Sequence, residues 1–262
     1  MGLLAVVVEV VTAVSLLLVT TAAAVVGPER LRRLRWTLRG RVRGALGPIV
    51  ALAVVLAINA VVRDVGLELS WLVGVNVTAA IYAVEGEFVA WFQSLGTPAV
   101  TTVLGYVYVY GYAFLVTFPL VAYLALEDQR YLRATATAYV VNYGVGLVCY
   151  VLFIAYGPRN YMPDMVQSLL YDALPRFQLL TSEINTNTNV FPSLHTSLSA
   201  TVALLAVRTR DIYPRWLPVA SVLAVLVALA TMYLGIHWAT DVVAGLVLAT
   251  GAVAVASRVH SI

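Results

Sequence analysis

Two short segments, Phe191-Pro192-Ser193-Leu194-His195 and Gly235-Ile236-His237-Trp238-Ala239-Thr240-Asp241, hold two of the chain's three histidines. Each stands where a connection meets the start of a long apolar run. Histidine is suited to moving protons or attacking phosphorus near neutral pH, so two of them at one depth of a greasy protein read as a catalytic pair. His237 and Asp241 are four apart at the start of a helix and therefore share a face. A carboxylate on one imidazole nitrogen fixes the tautomer and makes the other nitrogen a better nucleophile or base. The plainer reading is a His–Asp pair that anchors a helix end among headgroups. His195 follows Pro192-Ser193. Proline suits a first helical turn, a serine hydroxyl or exposed N–H there can hold a phosphate oxygen, and a histidine two positions on can protonate a leaving oxygen. Here the plainer reading is a proline-started helix with an interfacial histidine. His260, in the tail, is read as irrelevant to chemistry.

The elements that carry these residues follow from composition. The chain is 61% hydrophobic and 11% charged, with a mean hydropathy of +0.90, against roughly 25% charged residues in soluble proteins. Several apolar runs approach or exceed the roughly 20 residues needed to cross a bilayer. These features exclude a soluble multi-domain protein and predict an all-α, polytopic transmembrane bundle. Seven spans are expected, at 3–26, 46–63, 99–126, 132–156, 193–209, 216–234 and 237–257. The run 3–26 is longer than a leader's apolar core, lacks a cationic start and is followed by arginines, so it reads as a first transmembrane helix. The single cysteine, Cys149, lies in an apolar run, which excludes an intrachain disulfide.

All 16 basic residues are arginine. They cluster beside apolar spans, so they speak for membrane orientation rather than nucleic-acid binding. The arginines of 30–43, 130–133, 208–215 and Arg258 fall on one set of connections, and only Arg63, Arg159 and Arg176 on the other. The first set is expected to be cytoplasmic. His195 and His237 then open the fifth and seventh spans on the outer face, and Arg159, just after the fourth span, joins them there. An arginine placed against that bias suggests an anionic partner, since its planar fork suits phosphate. Arg176 is a weaker candidate of the same kind. The alternative for both is an ordinary headgroup anchor.

Three regions are expected: a peripheral N-terminal hairpin with an arginine-rich loop at 1–63, an interfacial amphipathic segment at 64–98, and a catalytic core at 99–262. The aromatic and acidic segment 64–98 reads as one or two helices lying at the interface, or else as a pair of short or re-entrant membrane segments. Residues 157–192, with the polar run Thr181–Asn189, read as an ordered lid or loop. Ser197, Ser199 and Thr201 are expected to face the bundle interior.

Taken together, the two histidine motifs resemble the membrane-bound type 2 phosphatidic acid phosphatase superfamily. Its second motif, Pro-Ser-Gly-His, is matched by Pro192-Ser193-Leu194-His195. Its third, Ser-Arg-x5-His-x3-Asp, is matched by His237-x3-Asp241. The resemblance covers about residues 99–257. It implies that His237 attacks phosphorus to give a phosphohistidine, that Asp241 orients it, and that His195 protonates the departing alkoxide. It further implies that Ser193 and its N–H bind phosphate oxygens, and that no metal or other cofactor takes part. The chain departs from the pattern in three places. It has no lysine for the first motif, Thr231 stands at the third motif's arginine position, and Leu194 replaces a glycine. Phosphate binding then falls to Arg159 first and Arg176 second. These departures resemble the branch containing inositol phosphorylceramide synthases, in which a phospho-headgroup passes between lipids.

The leading expectation is a phospholipid phosphatase or headgroup phosphotransferase at the extracytoplasmic face of a cell membrane, acting on a phospholipid or lipid phosphate. Nucleic acid is not an expected partner, and oligomeric state is open. The alternatives are a transporter or channel, and a catalytically degenerate lipid-binding member of the family.

Overall fold

A computed structural model describes residues 2–181 and 190–262, without the side chains of 63–67 and 179–181. The polar run expected at 181–189 lies almost wholly outside the described residues. The chain is an all-α bundle of an integral membrane protein. Its first helix, α1 (Leu3–Thr21), runs through a π-helical turn (Ala22–Val26) into Gly27, whose φ of 85° ends it. Pro28 then starts α2 (Pro28–Gly44), which carries seven arginines: 30, 32, 33, 35, 39, 41 and 43. Helix α3 (Leu46–Val73) leaves α2 at a bend of 73°. It continues well past position 63, where the second span was expected to end.

A two-residue strand β1 (Val75–Asn76) is followed by α4 (Thr78–Glu85) and α5 (Phe88–Ser94). At eight and seven residues neither can cross a bilayer, so 64–98 holds the tail of α3 and two short helices. The next long helix is built from α6 (Pro98–Tyr106), a π-helical turn (Val107–Gly111) and α7 (Tyr112–Leu124). Thr97 caps it by accepting the Val100 N–H, and Pro98 opens it. Helix α8 (Arg130–Leu152) ends in β2 (Phe153–Ile154), which pairs in parallel with β1 through Val75↔Phe153 and Asn76↔Ile154. Three short helices follow, α9 (Pro158–Tyr161), α10 (Leu169–Ala173) and α11 (Arg176–Thr181). The remaining helices are α12 (Leu194–Arg208), α13 (Trp216–Tyr233) and α14 (Ala239–His260).

Among the described residues, five helices are long and apolar enough to cross a membrane, or six if the bent α2–α3 pair is one span. The expected fifth span, 193–209, is α12, which falls outside that count. At 15 residues it is about 22 Å long, short of a roughly 30 Å hydrocarbon core. It can be short because α8, α13 and α14 surround it and its polar face, Ser197, Ser199 and Thr201, is wholly buried. Asn142 of α8 donates to Thr201 Oγ1 at 3.1 Å and accepts from the Ser197 hydroxyl, so Ser197 and Thr201 find partners inside the bundle. The main apolar core, with Phe118, Trp216, Tyr123 and Tyr213, fills the arginine-rich end of α7, α8, α12 and α13. The opposite end holds the two histidines beside two smaller apolar clusters, one with Tyr233 and Ile236 and one with Trp238.

Candidate active site

The backbone itself joins the two histidine motifs. Ser193 is the N-cap of α12: its hydroxyl oxygen accepts the Thr196 N–H at 3.3 Å. Its own N–H donates to the Asp241 carbonyl of α14 at 3.0 Å. One turn beyond Asp241, a Cβ on Gly245 would stand 2.6 Å from the Ser193 carbonyl, so the two helices touch there backbone to backbone. Ser193 is fully buried, with its N–H and hydroxyl both committed within the protein. Those bonds cap α12 and hold it against the start of α14. Leu194, where the resembling motif has glycine, fills the space over Gly146 of α8.

His237 sits in the turn between α13 and α14. Gly235 makes that turn at a φ of 70°, and the Thr231 carbonyl accepts both the Ile236 and His237 N–H groups at 3.0 Å. Asp241 is fully buried. Its Oδ2 lies 3.3 Å from His237 Nδ1 and accepts the Trp238 N–H at 2.9 Å, which leaves Nε2 of His237 free. Its Oδ1 has no partner. Trp238 is fixed in turn by donating from Nε1 to the Tyr156 carbonyl at 2.8 Å. Glu85, at the end of α4, accepts the first two N–H groups of α14, those of Ala239 (2.9 Å) and Thr240. A carboxylate there suits the helix dipole and holds the start of α14 in place.

His195, 42 residues earlier in sequence, faces His237 with ring centroids 6.2 Å apart. Tyr108 stacks on it at 4.7 Å, and Tyr112 meets it at 4.4 Å. Tyr108 lies in the π-helical turn of the long α6–α7 helix, and Tyr112 follows that turn directly. Arg159 reaches the same turn as His237, because its N–H donates to the Gly235 carbonyl at 3.1 Å. Its guanidinium lies over the Tyr171 ring, with Nη2 3.2 Å from the phenol oxygen, and its Nη1 is buried without a partner among the described residues. Arg176 is placed differently. It pairs with Glu9 of α1 at 3.1 Å and approaches the Tyr106 hydroxyl at 3.5 Å. Hydrogen bonds to Tyr110 and Tyr106 hold its pKa above the ordinary arginine value. His260 bonds Thr137 at 2.9 Å at the other end of α14, far along the helix from His237.

Of the residues singled out from the sequence, the structure brings His195, His237 and Asp241 together and ties the Arg159 backbone to the His237 turn. The sequence reading did not single out Glu85, Tyr108, Tyr112 or Asn142. The signal for the tyrosines was in plain sight as Tyr106-Val-Tyr-Val-Tyr-Gly-Tyr112, an aromatic run crowded into one span. Among the described residues no group of three or more His, Cys, Asp or Glu side chains stands as a metal-ligand cluster. The arrangement offers a nucleophilic nitrogen, a second imidazole for proton transfer and one guanidinium nitrogen with an open bonding position. Such a set can break and remake a phosphoester bond.

Residues 77–255 match the sequence model of the PAP2 superfamily. No curated protein and no solved structure matches the chain. The match begins at α4, earlier than the motifs alone suggested, and so takes in Glu85.

Proposed function

Because the chain belongs to the PAP2 superfamily, we propose that this phosphatase-type membrane lipid enzyme works through a phosphohistidine on His237. The carrying observation is the buried His237–Asp241 pair facing a second histidine, with Arg159 tied to the same turn by its backbone N–H. In the first step the Nε2 lone pair of His237 attacks phosphorus, the bond from phosphorus to the leaving alkoxide breaks, and protonated His195 gives that oxygen its proton. Asp241 holds the Nδ1–H and stabilises the positive ring. In the second step His195 takes a proton from water or an alcohol, that oxygen attacks phosphorus, and the P–N bond pair returns to His237. Arg159 binds the non-bridging oxygens as charge grows on them, so the steps need no metal ion. Leu194 and Thr231 at the departing motif positions support transfer to a lipid or polyol hydroxyl beside hydrolysis. The arginine asymmetry supports an extracytoplasmic site.

The test offers purified protein a phosphodiester lipid and a phosphomonoester lipid, each with and without an alcohol acceptor, and traps labelled intermediate by quenching. His237→Ala is expected to lose the label and at least about 10⁴-fold in kcat, and His195→Ala about 10²–10⁴-fold. Inorganic phosphate released regardless of acceptor would remove transfer from the proposal. Turnover or lipid flux that persists in His237→Ala would overturn the phosphohistidine route. Inactivity of the wild type towards every phospholipid class would leave a lipid-binding protein.

A further inference from the structure

The two histidines of the site are held by different means. His237 has a carboxylate, with Asp241 Oδ2 at 3.3 Å from its Nδ1. No carboxylate pairs with the half-buried His195 among the described residues. Its ring meets two phenols instead. Tyr108 stacks on it at 4.7 Å with the planes 26° apart, and Tyr112 meets it at 4.4 Å and 45°. Both phenols come from the long α6–α7 helix, yet each is seated in a different core. Tyr108 belongs to the apolar cluster of Leu104, Leu170 and Phe177. Tyr112 packs against the main core, and its hydroxyl and that of Tyr143 on α8 bond each other. The two rings are therefore fixed independently of the histidine they touch.

That difference has a chemical consequence. A histidine that gives a proton to a leaving oxygen and takes one from an acceptor needs both ring nitrogens unencumbered. It must also carry positive charge 6.2 Å from His237, whose own ring gains charge as it attacks phosphorus. A carboxylate would relieve that repulsion, but it would occupy one nitrogen of His195 and compete for the proton. The negative face of a phenol ring attracts an imidazolium and binds neither nitrogen. It stabilises the charge and leaves the proton to the reacting oxygens. Stacking also fixes the plane of the imidazole, and with it the direction of the N–H.

We propose that Tyr108 and Tyr112 are positioning residues for proton transfer: their ring faces orient His195 and stabilise its protonated form. This role rests on the proton transfer given to His195 above, and it requires no contact between the phenols and the substrate.

The experiment measures kcat and KM of full-length variants on a phospholipid that the wild type turns over. Tyr108→Phe and Tyr112→Phe keep the ring face and are expected to hold kcat within about threefold. Tyr108→Leu and Tyr112→Leu should each lose about 5–30-fold in kcat with KM within about twofold, as a lost cation–π contact would give. Because leucine can also disturb the packing, a second series uses Tyr112→Phe with one, two or three ring fluorines. Fluorine keeps the shape of the ring and withdraws electron density from its face, so kcat should fall stepwise, at least about fivefold in all. A flat fluorine series, or leucine variants equal to the phenylalanine ones, would overturn this role. A loss in KM alone would do the same, because it would put the rings against the substrate. A flat series beside a trapped His237 label sinks this inference and leaves the proposed function standing. A stepwise series in a protein that turns over without that label does the reverse.

Discussion

Arg159 comes to the site by its own backbone: its N–H is fixed to the Gly235 carbonyl, so the guanidinium inherits the position of the His237 turn. Tyr171 steadies one side of the fork, and Nη1 is without a partner among the described residues. Arg159→Ala should raise KM about 10–100-fold through loss of a charge-assisted contact. Arg159→Lys should recover only part, since an ammonium cannot reproduce the fork. Steady-state kinetics of the two variants check this, and a wild-type KM in Arg159→Ala would move the phosphate to backbone donors. At this scale the sequence was informative because histidine, aspartate and misplaced arginine are rare in a greasy chain. Ser193 was harder to read. Its type fits both a phosphate ligand and a helix cap, and only the bond to the Asp241 carbonyl shows which donors are already engaged.

Among the elements, α4 contributes more than its eight residues suggest. It ends in Glu85, which holds the first N–H groups of α14, while its Thr78 hydroxyl accepts the Tyr156 N–H at 3.0 Å. That connects the short helix to both edges of the His237 turn, because Tyr156 also receives Trp238. Glu85→Ala should cost about 1–2 kcal/mol of stability as a lost cap. It should also lower kcat more than it changes KM, because Asp241 and His237 move while Arg159 stays. Thermal unfolding with paired kinetics tests this, and a stability loss with unchanged kcat would make Glu85 purely structural. The long helices were legible as apolar runs of spanning length. The region 64–98 was not, because aromatic and acidic residues suit a membrane interface and a packed cap equally well, and no local periodicity distinguishes them.

At the scale of the whole molecule, composition alone placed the chain in a membrane, and the arginine distribution separates the two ends of the bundle. The same hydropathy could not say how tightly each span is held. Helix α1 is almost entirely exposed on the bundle's flank and lies outside the family match. Its attachment is concentrated at Val6, fully buried, and at Glu9, which meets both Arg176 and the Tyr110 hydroxyl, the latter at 2.6 Å. Both groups are about one-third exposed, so the pair is screened and its worth modest. Glu9→Gln and Arg176→Gln should each destabilise by about 0.5–1.5 kcal/mol, and the double variant by less than their sum. Thermal melts of the three proteins form the cycle; strictly additive losses would show that the two residues do not act together.

The π-helical turn at Val107–Gly111 has a consequence for how this protein can change over time. A π turn is an α-helix holding one residue more than its register needs. Because that extra residue is absorbed within the turn, removing a single residue there would restore plain α-helix, keep the helix on either side in register and change only the local placement of the turn's own side chains, Tyr108 among them. The same deletion in the regular helix that follows would rotate everything beyond it by about 100°. The chain therefore tolerates a change of length at this turn that it cannot tolerate one turn later.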